Sequence, residues 1–85
     1  MLRTIAFCHR NKHFEVRVDD AGALELYLEG CLRKRREPGE RQPRYVWTNV
    51  ELEWEEHHYV EVRYWSDAGR LQVTVNGKPL VEQQL

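Results

Sequence analysis

The chain has 85 residues, 13 of them Lys or Arg and 14 Asp or Glu, for a net charge of −1 at pH 7. That length suits one small domain over residues 1–85, and the charge balance gives no overall attraction to nucleic acid or acidic membranes. No apolar run approaches the roughly 18 residues a membrane helix needs. The opening MLRTIAFCHRNKHF lacks the apolar core of a secretory leader, so the expected location is the cytoplasm and Cys8 and Cys31 are expected as reduced thiols.

In chain order the apolar residues recur with period two. Phe14, Val16 and Val18 alternate with Glu15 and Arg17, and Leu24, Leu26 and Leu28 with Glu25, Tyr27 and Glu29. Further on, Val50, Leu52 and Trp54 alternate with Glu51 and Glu53, Val60, Val62 and Tyr64 with Glu61 and Arg63, and Leu71, Val73 and Val75 with Gln72 and Thr74. Such alternation marks half-buried antiparallel strands, and nothing repeats every 3.6 residues as a helix would. The chain is expected to be all-β.

The turns predict pairing. Setting Val18 against Leu24 leaves Asp20-Ala21-Gly22 as a three-residue loop, and setting Val62 against Val73 leaves Ser66-Asp67-Ala68-Gly69 as a four-residue one. Asn76-Gly77 is a strong two-residue hairpin signal, matched by Glu29-Gly30. DDAGALELYLEG (19–30) and SDAGRLQVTVNG (66–77) agree at turns and inward positions, so the chain divides into two β-meander repeats. Repeat one covers about 2–36 and repeat two about 45–85, each with a first strand (about 2–7, then 50–55), a hairpin (13–29, then 58–76) and a short return strand (31–35, then 79–83). Backward extension aligns Ile5 and Phe7 with Leu52 and Trp54, and Trp54 and Val50 are expected in the core. Two one-sided meanders bury their apolar faces together as a small antiparallel β-sandwich or a closed barrel of seven to eight strands.

A short strand, the strand start His13-Phe14, a Gly-containing turn, and the endings LEG and VNGKPL form a pattern that resembles Fas apoptotic inhibitory molecule, with VTVNGKPL (73–80) as the best-matching stretch. The resemblance implies a non-enzymatic β-sandwich acting through protein contacts, and it transfers no functional residue.

Charge is segregated. Residues 33–44 hold six basic and two acidic side chains, against seven and twelve in the rest. Pro38-Gly39 and Pro43 predict a loop over this segment. Arg33, Lys34, Arg35, Arg36, Arg41 and Arg44, followed by Tyr45 and Trp47, combine phosphate-binding charge with stacking rings, the ingredients of single-stranded nucleic-acid binding. The other reading of the same segment is a solvated linker between repeats, lying on the acidic strand that carries Glu51, Glu53, Glu55 and Glu56, and this is the expectation adopted. That acidic strand is itself expected to be a solvated face. Basic segment and acidic strand could instead meet across a two-fold axis, which makes a homodimer or another protein partner the leading partner expectation.

Cys8-His9 and His57-His58 are expected in equivalent turns of the two halves, where a metal site could assemble if the turns share an end. No spacing matches a zinc motif, so no metal and no cofactor is assigned. A nucleophile with an orienting acid and an oxyanion hole is not identifiable, nor is a phosphate-binding glycine loop, and the expectation is that the protein is not an enzyme.

Strand parity puts Tyr27 on an outer face, and it puts Trp65 beside Tyr59, Glu61 and Arg63 on another, opposite Arg70. Trp65 either stacks on Arg70 or anchors a partner. The expected function is a cytosolic binding or assembly module using Tyr27, Arg63, Trp65 and Arg70. The second expectation is an RNA- or single-stranded-DNA-binding protein using residues 33–44 with Tyr45 and Trp47.

Overall fold

The computed structural model describes residues 2–39, 43–53 and 56–85, with the side chains at 51–53 and 56 left aside. Strands β1 (Arg3–His9), β2 (Lys12–Val18), β3 (Leu24–Leu28) and β4 (Cys31–Arg36) form one antiparallel sheet in chain order. Strands β5 (Arg44–Glu53), β6 (Glu56–Trp65), β7 (Arg70–Val75) and β8 (Lys78–Gln84) form a second in the same way. The two sheets remain separate, so the closed barrel is set aside. No helix long and apolar enough to cross a membrane occurs among the described residues.

Registers follow the alternation. Val18 faces Leu24, Val16 faces Leu26 and Phe14 faces Leu28, while Val62 faces Val73 and Val60 faces Val75. These inward residues except Leu28, with Ile5, Val46, Val50, Tyr64 and Leu71, form a single cluster fed by both sheets, and the partly buried Leu28 packs against it. Each fully buried Val, Leu or Phe contributes about 1.5–3 kcal/mol of hydrophobic stabilisation, the main favourable term set against chain entropy.

Turn chemistry explains the hairpins. Gly22 at φ 91° closes the first loop, where the Asp19 carboxylate accepts from the amides of Ala21 (3.0 Å) and Ala23 (2.9 Å). Glu29-Gly30 and Asn76-Gly77 both have positive φ at both positions, the type I′ geometry that suits strand twist. Arg10-Asn11 is a third such turn, at φ 53° and 64°, and the sequence hides it because arginine rarely adopts this conformation.

Four expectations are corrected. The expected return strand at 31–35 is β4, so the loop expected over 33–44 is cut back: residues 33–36 lie in that strand and Arg44 opens β5, leaving 37–43 between the sheets. The alternation fails in β4 because this edge strand is exposed on both faces. The first strand of the second sheet begins at Arg44 rather than near residue 50, which puts Tyr45 and Trp47 on a strand. By register, Ile5 corresponds to Val46 and Phe7 to Thr48, not to Leu52 and Trp54, because the β5–β6 arms run longer before turning. Finally, Cys8 and His9 lie in β1, and His57 and His58 in β6, rather than in turns. Trp54, Glu55 and Arg41 fall outside the described residues.

Candidate functional site: the outer face of the second sheet

Outward positions on β5 and β6 carry Tyr45, Trp47 and Asn49 beside Tyr59, Glu61 and Arg63, because successive strand residues alternate sides. Trp47 lies directly opposite Glu61, and Asn49 opposite Tyr59, so Trp47 and Tyr59 are diagonal neighbours. Their ring centroids stand 6.4 Å apart at 45°. Trp47 is 48% exposed and Tyr59 49%. Large apolar rings left this open on a regular strand are costly to hydrate, and the strands hold them without loop entropy.

Two shallow grooves flank Trp47. One, of about 580 Å³, is lined by Tyr45, Trp47, Tyr59, Glu61, Asn76 and Gly77. The other, of about 450 Å³, is lined by Leu32, Arg33, Lys34, Trp47, Thr48 and Asn49, and so crosses the seam between β4 and β5. The first groove has a fixed floor. Tyr45 Oη donates to Glu61 Oε2 at 2.5 Å, Arg63 donates to the same carboxylate at 3.2 Å, and the Arg63 guanidinium lies 5.1 Å from the Tyr45 ring centre. Burial, then the neighbouring Glu61 carboxylate, raises the Tyr45 phenol above its ordinary pKa. The Asn76 side chain accepts from the Tyr59 amide at 2.9 Å, which ties the β7–β8 turn to the rim.

The basic run of β4 has a structural task. Arg33 donates to Thr48 Oγ1 (3.4 Å) and to the Asn49 carbonyl (3.2 Å), and Arg36 donates to the Tyr45 carbonyl (3.1 Å). These guanidinium groups cover carbonyls along the open edge of β5, which would otherwise be a template for another strand. Arg35 turns outward to Glu25 (2.9 Å) and Glu37 (2.6 Å), and its hydrogen bond holds the Glu37 carboxyl below the usual range. Arg44 is 9% exposed, with its guanidinium against Gly39 and donating to the Glu37 carbonyl, so it clamps the connecting segment. Lys34 alone in β4 leans over a ring, its Nζ 5.8 Å from the Trp47 centre.

The outer-face residues expected from sequence do not form one patch. Tyr27 belongs to the first sheet, whereas Arg63, Trp65 and Arg70 belong to the second. Tyr27 is covered by Arg17, 4.1 Å from its ring centre, and its hydroxyl donates to Glu25. Trp65 faces Arg70 in register, with the guanidinium 4.9 Å from the ring centre, so the stacking contact is made. Arg70 is held in turn by Glu82 at 2.8 Å, which lowers the Glu82 carboxyl. Sequence reasoning missed Tyr59 as a site residue, although its parity with Trp65 was visible. The overlooked signal was Tyr45-Val46-Trp47-Thr48-Asn49-Val50, where inward Thr48 breaks the apolar pattern.

Across the sheets His9 Nε2 meets His58 Nδ1 at 3.1 Å, with His58 buried. Cys8 Sγ lies 3.2 Å from His13 Nδ1 on the opposite side of β1, and both cysteines are free and exposed. Adjacent strand residues point apart, so Cys8-His9 and His57-His58 each divide between two faces. No group of three or more His, Cys, Asp or Glu placed to hold a metal occurs among the described residues.

The chain matches no protein-family model, no curated protein and no solved structure.

Proposed function

We propose that this chain is a small non-enzymatic binding module of the cytosol, two β-meander repeats packed as a sandwich, that engages a protein partner through the outer face of its second sheet. The observation that carries this reading is the half-exposed pair of Trp47 and Tyr59, set between two grooves on a rigid strand face. Buried Trp and Tyr dominate the energetics of protein interfaces, and a ring presented by a strand loses little entropy on docking. A protein partner also agrees with what the resemblance in the turn pattern implies. Trp47→Ala or Tyr59→Ala should weaken partner retention by about 30-fold or more, the effect of losing a hot spot worth about 2 kcal/mol, with an unchanged circular dichroism spectrum. Undiminished retention by both variants would overturn the assignment.

One observation favours a second reading. Lys34 beside the open Trp47 ring sets a cation next to a stacking surface, as single-stranded nucleic-acid sites do. Titration with oligonucleotides at two salt concentrations separates the readings. A nucleic-acid site gives a log–log slope near −0.7 per neutralised phosphate on single strands, and absence of binding at low salt eliminates it.

A further inference from the structure

Each sheet has two edges, and three of the four carry a device against pairing with another chain. Edge strand β4 is basic and its pairing with β3 shifts register between Leu26 and Tyr27. The β5 edge is covered by Arg33 and Arg36. In β8, Pro79 removes a backbone donor and the register shifts between Val73 and Thr74, leaving Leu80 as an extra residue. Prolines, bulges and charge are the usual means of blunting an edge.

Strand β1 has none of these. Its seven residues, RTIAFCH, pair with β2 in unbroken register from Arg3↔Val18 to His9↔Lys12, with no proline and with basic side chains only at the two ends. No described strand lies on its other side. Leu2, just before it, is 54% exposed. The centre of the strand is thus an unbulged row of backbone donors and acceptors free of charged side chains, the kind of edge onto which a further strand adds.

We infer that β1 is a self-association edge, pairing antiparallel with the β1 of a second copy about a two-fold axis at Ala6. What selects a second copy is the strand's self-complementarity. The register centred on Ala6 is the one that engages all seven residues, setting Thr4 against Cys8, Ile5 against Phe7 and Arg3 against His9. On the inward side Ile5 of one copy meets Phe7 of the other, extending the row in which Phe7 already stacks on Phe14 at 5.1 Å. On the outward side Ala6 meets Ala6, small enough for close approach, and the basic residues Arg3 and His9 face each other only at the two ends of the paired strands. The two first sheets then join into one eight-stranded sheet, and the contact is isologous, as a two-fold dimer requires. This edge lies apart from the Trp47 face, so the inference stands or falls independently of the partner site.

Charge at Ala6 provides the test, because this side chain is exposed and its replacement leaves the core intact. Sedimentation equilibrium of the wild-type chain should show a concentration-dependent monomer–dimer equilibrium. Ala6→Lys and Ala6→Glu each set like charges together at the axis and should weaken the dimer by about fivefold or more, while an equimolar mixture of the two recovers dimer as a heterodimer. Recovery in the mixture cannot arise from misfolding. With Cys8→Ser and Cys31→Ser in place, Ala6→Cys should form a disulfide-linked dimer under mild oxidation. Trp47→Ala should leave the dimer unchanged. A wild-type chain monomeric at every concentration, or a dimer indifferent to Ala6→Lys, would overturn the inference.

Discussion

The outer faces of the two sheets make an instructive pair. Both place an aromatic residue in a row of charges, Tyr27 in the first and Trp47 in the second. On the first sheet Arg17 lies 4.1 Å from the Tyr27 ring centre, Glu15 pairs with Arg17 at 2.5 Å and Glu25 with Arg35, so the ring is roofed and the charges neutralise one another. On the second sheet the same chemistry covers Tyr45 and Trp65 but leaves Trp47 and Tyr59 about half exposed. An aromatic ring on a polar face is therefore not evidence of a site. What sets Trp47 and Tyr59 apart is that about half of each stays exposed, even with Lys34 Nζ 5.8 Å from the Trp47 ring centre.

The largest test asks whether two faces so different rest on one core. Phe14 is 2% exposed and central to the first sheet, and Phe14→Ala should cost about 3–5 kcal/mol. All three tryptophans lie in residues 47–65, so fluorescence reports the second sheet while far-ultraviolet circular dichroism reports both. A shared core predicts that the two signals of the variant shift together to lower denaturant. If fluorescence kept its wild-type midpoint while circular dichroism moved, the sheets would be independent.

A smaller effect is expected at the seam. Removing Arg33 and Arg36 together, by Ala substitution, should cost about 1–2 kcal/mol for the lost hydrogen bonds and should bare the β5 edge. The readout is light scattering at rising concentration, with the double variant aggregating where the wild type stays clear. Unchanged scattering and unchanged stability would mean that the basic run is free for another role.

Smallest is the groove floor. Tyr45→Phe removes a phenol bonded to Glu61, worth about 1 kcal/mol, at the low end for a bond to a charged group because solvent reaches it. The Tyr45 pKa is raised in the fold, so the neutral phenol is the favoured form. The contribution is therefore complete below the unfolded value of about 10 and is lost as pH rises through the higher folded value. Denaturation midpoints of wild type and Tyr45→Phe should converge only in that alkaline range. Convergence near neutral pH would contradict the assigned bond.

Legibility in the sequence tracks burial. Strands β2, β3, β6 and β7 sit inside the sheets, bury one face and alternate cleanly, and their registers followed from the turns. Edge strand β4 is exposed along its whole length and has no period to read, so only the Glu29-Gly30 turn and the repeat marked a return strand at 31–35, and its end at Arg36 was lost in the basic run. The arginine run looked like a free basic segment because one-dimensional charge cannot show that Arg33 and Arg36 reach across to the carbonyls of β5. For the same reason Tyr27 looked open, since Arg17 above it comes from the neighbouring strand, whereas the Arg70 contact with Trp65 was one of the two readings that parity allowed. Tyr59 lacked any sequence mark beyond parity, and Arg10-Asn11 lacked the glycine that reveals the other hairpins.

The proposed function rests on the half-exposed Trp47 and Tyr59 rather than on Tyr27 and Trp65, which lie under Arg17 and Arg70. The direct measurement is quantitative retention of one purified or identified partner on columns of wild type, Trp47→Ala, Tyr59→Ala, Tyr27→Ala and Trp65→Ala, each confirmed folded by circular dichroism. Trp47→Ala and Tyr59→Ala should lose retention while Tyr27→Ala and Trp65→Ala keep it. Loss with Tyr27→Ala and retention with Trp47→Ala would contradict it.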